Sequence, residues 1–317
     1  APVCDYLSEA LGYVVPLVSL DKTGQGPAAG QIVMLENLRF WPEEEANDEQ
    51  FAKKLAGLAD VYVNDAFSCA HRAHASTYAV AKQLPCFSGP VMAAELDALS
   101  AALDKPQRPV AAVVGGAKVS TKLAVLENLI EKVDILFLGG GMANTFLVAE
   151  GEDMGASLME PDLIGKAADI LIKAKQSGCR IMLPEDGLAA TAFSADVSYR
   201  EIPNKDILAT EMMLDIGPKA IDSYQQALKE VRTVLWNGPM GAFEVSPFDT
   251  ATVTLAQMVA EATEAGRILS VAGGGDTVAA LNHAGVAEKF SYVSLAGGAF
   301  LEYIEGKTLP GIAVLSA

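Results

Sequence analysis

Six short apolar runs, each ending in glycine or proline and most followed by a helical pattern, constrain this chain more than any other feature. PVAAVV (109–114) leads into Gly115-Gly116, DILFL (134–138) into Gly139-Gly140-Gly141, and RIML (180–183) into Pro184-Glu185-Asp186-Gly187. TVLW (233–236) leads into Asn237-Gly238-Pro239, ILSVA (268–272) into Gly273-Gly274-Gly275, and YVSLA (292–296) into Gly297-Gly298. The runs are continuous rather than alternating, which suits strands buried on both faces of a parallel sheet. Between them, KLAVLENLIEKV (122–133) and ATVTLAQMVAEATEAG (251–266) carry helical periodicity, the second closing on a C-cap glycine. Strand-helix alternation predicts a doubly wound, Rossmann-like α/β domain whose ligands sit beyond the carboxyl ends of the strands.

At 317 residues the chain is long for one domain, so a second unit is expected in the first hundred residues. Its candidate strands are VVPLV (14–18), IVMLE (32–36) and VYVN (61–64), with an acidic loop entering a helix between the last two. Three strands make a thin sheet. The stretch 92–109 reads as a helix until Pro106 and would join the units as a stiff hinge. The predicted organisation is a first unit over 1–91 that either leans on the larger domain or lacks a piece, an interdomain helix and turn over 92–109, a larger domain over 110–305, and a C-terminal tail over 306–317. Each lobe is expected to be a mostly parallel sheet flanked by helices.

Charge narrows the chemistry. The net charge is −17, from 23 basic and 40 acidic residues, which argues against nucleic acid or an anionic membrane as a partner. The four cysteines are far apart and form no C-x-x-C, so neither a disulfide framework nor a zinc cluster is expected. The first residues lack a basic segment and carry Asp5 and Glu9, unlike a secretory signal. No apolar run approaches the roughly 18 residues a bilayer span needs. A cytoplasmic protein, acting as a monomer, is the expectation.

Several segments place polar groups where strands end. In Gly115-Gly116-Ala117-Lys118-Val119-Ser120-Thr121-Lys122, the glycines admit close backbone approach and the helix N-terminus favours an anion. Lys118 and Lys122, four apart, share one face; a tight turn with two solvated lysines is the competing reading. The loop matches neither the P-loop nor G-x-G-x-x-G pattern. In Gly273-Gly274-Gly275-Asp276-Thr277, Asp276 suits either Mg²⁺ or a helix N-cap. The segment 237–244 ends in Glu244, which could accept ribose hydroxyls, or it is a structural Ω-loop. Near the start, Asn64 to His74 gathers His71, Arg72 and His74, two of the chain's three histidines around an arginine, and Arg39 ends the second candidate strand. An anion site or an interdomain salt-bridge cluster with Glu43 to Glu45 would explain this basic group. His283 reads as a surface residue at a helix end.

Taken together, LENLRF, NDAFSCAHRAHAST, GGAKVSTK, GGGMANTF, LDIGPK, WNGPMGAFE, GGGDTVAA and GGAFLEYIEGKTLPG, in that order, closely resemble the phosphoglycerate kinase family over nearly the whole chain. The resemblance implies a two-domain hinge enzyme interconverting 1,3-bisphosphoglycerate plus ADP with 3-phosphoglycerate plus ATP, with Mg²⁺, in glycolysis, gluconeogenesis or carbon fixation. It further implies that Arg39 and Arg72 hold phosphoglycerate, with His71 and His74 in the same patch. Lys118 and Lys122 match the lysines on the nucleotide phosphates, beside Gly116. Gly140 and Gly141 flank the base, Asn237, Pro239 and Gly241 lie near it, and Glu244 meets the ribose. Asp276 matches the aspartate of the metal-nucleotide, beside Gly274, Gly275 and Thr277. Lys122, Arg39 and Gly275 are the residues expected at the transfer itself.

The family also opens with D-[FL]-N-V-P, a downstream arginine and H-x-G-R-P, which this sequence lacks. The expectation is an N-terminally incomplete form, with little kinase activity if the polypeptide truly starts at Ala1. A fragment retained as a nucleotide-binding module is the alternative. A nicotinamide dehydrogenase is disfavoured because no G-x-G-x-x-G follows a strand.

Overall fold

The computed structural model describes residues 2–22 and 27–316. By internal contacts the chain separates into two compact units, residues 1–93 with 308–317, and residues 94–307.

The first unit begins with α1 (Pro2–Leu11) and holds four short strands: β1 (Leu17–Val18), β2 (Met34–Leu35), β3 (Tyr62–Asn64) and β4 (Cys86–Ser88). They pair in parallel as β1-β2 and β3-β4, two separate ladders rather than one sheet. β4 was not expected from the sequence, since Cys86-Phe87-Ser88 is too short and mixed to carry a strand pattern. The acidic segment is itself helical, forming α2 (Pro42–Glu45), and Asp48 then caps α3 (Glu49–Ala56) by accepting from the Phe51 N–H at 2.7 Å. Phe51, Ala52 and Leu55 of α3 pack with Leu20, Ala75, Ala79 and Val80 into the unit's core. The chain's end rejoins this unit through α12 (Pro310–Ala313), where the Gly311 N–H donates to the Ala70 carbonyl at 2.8 Å.

The boundary between the units falls within α4 (Pro90–Leu103). The second unit is built on β5 (Val110–Val114), β6 (Ile135–Leu138), β7 (Arg180–Met182), β11 (Thr233–Asn237), β12 (Leu269–Gly273) and β13 (Tyr292–Ser294). These are the six runs expected as strands, and they form one parallel sheet in the order β13-β12-β11-β5-β6-β7. Every residue of β5, β6 and β11 is buried, which is why their runs never alternate. Helices cover the sheet: α5 (Leu123–Lys132), α6 (Gly140–Ala149), α7 (Ile164–Ser177), α8 (Pro218–Leu228), α9 (Thr250–Glu264), α10 (Gly275–His283) and α11 (Gly298–Ile304). Trp236, Phe137 and Tyr224 anchor the core, with the Phe137 and Tyr224 rings 4.9 Å apart. Burying each such ring contributes roughly 2–3 kcal/mol before cavity effects.

One strand-end loop differs from expectation. Only Leu183, Pro184 and Glu185 follow β7 as loop, because Asp186 opens β8 (Asp186–Ala190). With β9 (Tyr199–Pro203) and β10 (Met212–Ile216), it makes an antiparallel sheet in the order β10-β8-β9. Asp186 turns inward and accepts from the N–H groups of Lys219 (3.0 Å) and Ala220 (2.8 Å), satisfying the first turn of α8. Its side chain thus serves a helix start rather than a ligand loop.

Candidate active site

The carboxyl ends of β5, β6, β11 and β12 meet through backbone. The Gly115 N–H donates to the Asn237 carbonyl at 3.1 Å, the Gly140 N–H to the Met240 carbonyl at 2.6 Å, and the Met142 N–H to the Gly116 carbonyl at 3.0 Å. Such approach needs glycine: a Cβ on Gly115 would lie 1.8 Å from the Pro239 carbonyl oxygen. Gly238 has φ +107°, a left-handed region closed to most side chains, and a Cβ there would come within 2.5 Å of the Lys122 ammonium.

Lys122 is the central cation of this junction. Its Nζ donates to the carbonyls of Gly115 (2.7 Å) and Asn237 (2.8 Å), tying β5 to β11. Burial pushes its pKa down to about 8, and the nearby Asp276 carboxylate only partly opposes this. Lys118 is exposed on the same loop and has no ion-pair partner among the described residues. The loop is braced by Glu160, which accepts from the Ser120 N–H (2.9 Å) and Ser120 hydroxyl (2.5 Å). Partial burial raises the Glu160 carboxyl's pKa, but the bonds from Ser120 outweigh that, and its pKa lies below the ordinary value.

Beside this junction lies a cavity of about 310 Å³. Gly116, Gly140, Gly141, Pro239, Gly241, Glu244 and Asp276, named from the sequence, all line it. Its apolar wall comes from Leu158, Phe193 and the β10 residues Met212, Met213 and Leu214. A flat apolar slot with polar groups at one end is what a nucleoside phosphate requires. The helices α6 and α10 begin at this edge, at Gly140 and Gly275, which brings the positive ends of their dipoles to it.

Three further predicted residues stand behind the cavity. Asn237 is buried at the end of β11, and its Nδ2 donates to the Gly273 carbonyl at 2.6 Å. Its Oδ1 has no hydrogen-bond partner among the described residues. The Thr277 hydroxyl accepts from the Gly238 N–H at 2.7 Å and donates to the Gly273 carbonyl at 2.8 Å, linking two glycine loops. Gly274, with φ +101°, is the residue that caps α10. The N-cap alternative for Asp276 is therefore overturned: Asp276 lies one turn position inside the helix, exposed and without a hydrogen bond or ion pair among the described residues.

The first unit holds the other predicted group. Arg39 lies on the single turn Leu38–Phe40, its Nε 3.6 Å from Glu45 Oε1. Arg72 is exposed and its Nε donates to His71 Nε2 at 3.3 Å, while His71 Nδ1 is buried without a hydrogen-bond partner among the described residues. His74 Nδ1 lies 3.9 Å from Glu44 Oε1. Both contacts lie within the first unit, so they are not the interdomain cluster that was the alternative reading. His283 ends α10, half-exposed, 2.8 Å from Asp249 Oδ2.

Comparison with known proteins decides the family. The family model for phosphoglycerate kinase matches residues 1–307. The chain is 55% identical over 322 aligned residues to a phosphoglycerate kinase of Xanthobacter flavus, covering 99% of this chain and 81% of that one. It is 54% identical to one of Methylorubrum extorquens, covering 100% of this chain and 80% of the relative. The solved phosphoglycerate kinase of Coxiella burnetii superposes with a TM-score of 0.95 at 44% identity, over 100% of this chain and 80% of that one. The corresponding enzyme of Pyrococcus horikoshii gives 0.75 at 30% identity, over 99% and 81%. The chain belongs to the phosphoglycerate kinase family.

Membership in the phosphoglycerate kinase family makes the chain an enzyme of the transferase class and directs attention to site residues that sequence reasoning missed. Asp215 is buried inside LDIGPK, its oxygens accepting from the Ile216 N–H and the Ala251 N–H, each at 2.9 Å. Burial drives its pKa well above the ordinary carboxylate value, and the two N–H bonds only partly oppose this. A Cβ on Gly241 would run into the Asp215 carboxyl, which therefore stands directly behind a glycine of the cavity wall. An acid between Leu214 and Ile216 in an apolar run was the available signal. Glu160, forty positions from Ser120, left none.

Metal chemistry can be tested on the donors. No group of three or more metal-ligating side chains occurs among the described residues. Mg²⁺ seldom needs one, since it binds one or two carboxylates and completes its shell with water and phosphate oxygens. The uncommitted carboxylate of Asp276 at the cavity rim fits that pattern. No helix among the described residues is long and apolar enough to cross a membrane.

Proposed function

We propose that this chain catalyses reversible phosphoryl transfer between 1,3-bisphosphoglycerate and ADP, giving 3-phosphoglycerate and ATP, as a cytoplasmic monomer of glycolysis, gluconeogenesis or carbon fixation. The observation that carries this reading is the convergence of Gly116, Gly140, Gly141, Pro239, Glu244 and Asp276 on one cavity, with Lys122 held in the adjoining β5–β11 junction. Phosphoryl transfer asks a protein for alignment, charge neutralisation and exclusion of water rather than covalent chemistry.

In this proposal the apolar wall takes the base, Glu244 the ribose hydroxyls, and Lys118 with the helix-end amides the phosphates. Lys122 and the Gly274-Gly275 amides neutralise the transferring group. Asp276 would hold Mg²⁺, which when bound screens the nucleotide phosphates. Arg39 and Arg72, with His71 and His74, bind and orient phosphoglycerate, and the two units close about 92–109 to bring the substrates in line.

A coupled assay with ATP and 3-phosphoglycerate, alongside calorimetry with each ligand, tests the reading. Turnover with binding of both supports it. Binding of Mg-ADP without phosphoglycerate would leave a nucleotide-binding module instead. Replacing Arg39 or Arg72 with Ala is expected to raise the KM for 3-phosphoglycerate at least tenfold while the nucleotide KM stays within twofold.

A further inference from the structure

The second unit carries a second concavity, of about 340 Å³, lined by Ala101, Lys105, Gln107, Arg232, Arg267 and Leu269 among others. It lies at the amino ends of β11 and β12, because Arg232 immediately precedes Thr233 and Arg267 stands two residues before Leu269. The cavity described above gathers at the other ends of the same strands. Five-residue strands separate the two by about 16 Å of buried backbone.

Its charge is unusual for this molecule. Of its lining residues three are cationic and none is acidic, in a chain with 40 acidic and 23 basic residues. Lys105, Arg232 and Arg267 are all exposed, and none has an ion-pair partner among the described residues. Asp104 and Glu264, the acids nearest in sequence to Lys105 and Arg267, are committed elsewhere, and Glu230, two residues before Arg232, does not line the hollow. Asp104 accepts from the Tyr303 hydroxyl at 2.9 Å and lies 3.7 Å from Lys132 Nζ; Glu264 pairs with Lys289 at 3.2 Å. Asp134 is held by Arg108 at 2.7 Å.

The three cations also stand on fixed backbone. The Arg232 N–H donates to the Pro109 carbonyl (2.8 Å), the Arg267 N–H to Ala262 (2.9 Å) and the Lys105 N–H to Ser100 (2.8 Å). The Leu269 N–H donates to the Arg232 carbonyl at 2.9 Å, and the Thr233 hydroxyl to the Gln107 carbonyl at 2.8 Å. Arg232 Nη1 makes only a long contact, 3.4 Å, to the Val231 carbonyl. Three like charges facing one hollow repel each other, and an anion in the hollow removes that cost. Guanidinium forks match phosphate oxygens in pairs, which favours phosphate over a monovalent ion.

We propose that this concavity is a binding site for a small polyphosphate or multiply phosphorylated metabolite, separate from the nucleotide cavity. Inorganic triphosphate is the probe. In calorimetry at low ionic strength without Mg²⁺, the full chain is expected to bind it, and the double substitution Arg232→Ala/Arg267→Ala to remove one bound triphosphate or weaken it at least tenfold. The charge-conserving pair Arg232→Lys/Arg267→Lys should retain binding within about threefold. Triphosphate should also slow amine acylation of Lys105, read by peptide mass spectrometry, while leaving exposed Lys173 unaffected. That readout needs no variant. An unchanged isotherm in the alanine pair, or unprotected Lys105 at saturating triphosphate, overturns the proposal. ADP affinity of the alanine pair, expected within twofold of the parent, reports separately on the nucleotide site.

Discussion

Lys122 should take up a proton when nucleotide binds, and the amount should rise steeply with pH. Alone, its ammonium is bound by two carbonyls and largely removed from water, with a pKa lowered from 10.5 to about 8. That displacement corresponds to about 3 kcal/mol at 1.36 kcal/mol per unit. A single phosphate charge about 4 Å away, at the effective dielectric of a protein surface, returns about 4 kcal/mol, enough to restore an ordinary lysine pKa. At pH 7 the free side chain is already about 90% charged, so uptake is about 0.1 proton; at pH 8 it is about 0.5, and at pH 9 about 0.9. Titrating the protein with ADP in buffers of different ionisation enthalpy measures this directly. Lys122→Arg, which stays charged throughout, should abolish the pH-dependent part. Uptake that stays flat from pH 7 to 9, or that survives in Lys122→Arg, would refute the assignment of both the pKa and the phosphate position.

Other substitutions probe separate parts of the site. Asp276→Asn should weaken ATP binding at least tenfold with Mg²⁺ present but leave it unchanged or tighter in EDTA, as read by calorimetry; equal losses in both would exclude a metal-linked role. Asp215 has a raised folded-state pKa, so its stabilising contribution is complete below pH 3.8 and declines as pH rises towards the folded value. Urea denaturation should accordingly show Asp215→Asn losing less stability than the parent between pH 4 and 7. Gly238→Ala places a Cβ against Gly115 and the Lys122 ammonium at positive φ and is expected to cost more than about 3 kcal/mol in thermal or urea unfolding. Glu160→Ala releases the Ser120 brace and should raise the nucleotide KM several-fold with little change in melting temperature.

The larger unit was legible because its signals were local. All six continuous apolar runs became strands of the parallel sheet, and the glycines at their ends marked the loops around the cavity. Legibility stopped where a residue's partner lay far along the chain. Asp186 was read as loop because proline and glycine flank it, yet its role is fixed by α8, more than thirty positions away. The capping of α10 was misread for a different reason. Asp276 is a good capping residue, but Gly274 can take φ +101° where an aspartate would be strained, and the cap moved two residues earlier. In the smaller unit the strands are two or three residues long, below the length at which periodicity can be recognised.

The basic residues of the smaller unit are not equally available to an anion, and the difference follows from burial. Arg39 and Glu45 are about half exposed and 3.6 Å apart, a pair worth less than about 1 kcal/mol. A doubly charged phosphate offers Arg39 more than Glu45 does, so this pair can exchange at little cost. Glu44 differs. It is buried, and it accepts both the N–H (2.9 Å) and the hydroxyl (2.5 Å) of Ser76 while facing His74. The two Ser76 bonds fix the Glu44 carboxylate beside His74, so an incoming ligand would have to compete with this turn for His74. His71 carries the opposite signature, a buried Nδ1 with no hydrogen-bond partner among the described residues, beside the exposed guanidinium of Arg72. In the proposed site Arg39, Arg72 and His71 would meet phosphoglycerate directly, and His74 would serve it by holding the turn that carries His71 and Arg72. Substituting His74 should lower thermal stability more than substrate affinity, and substituting Arg39 should do the reverse.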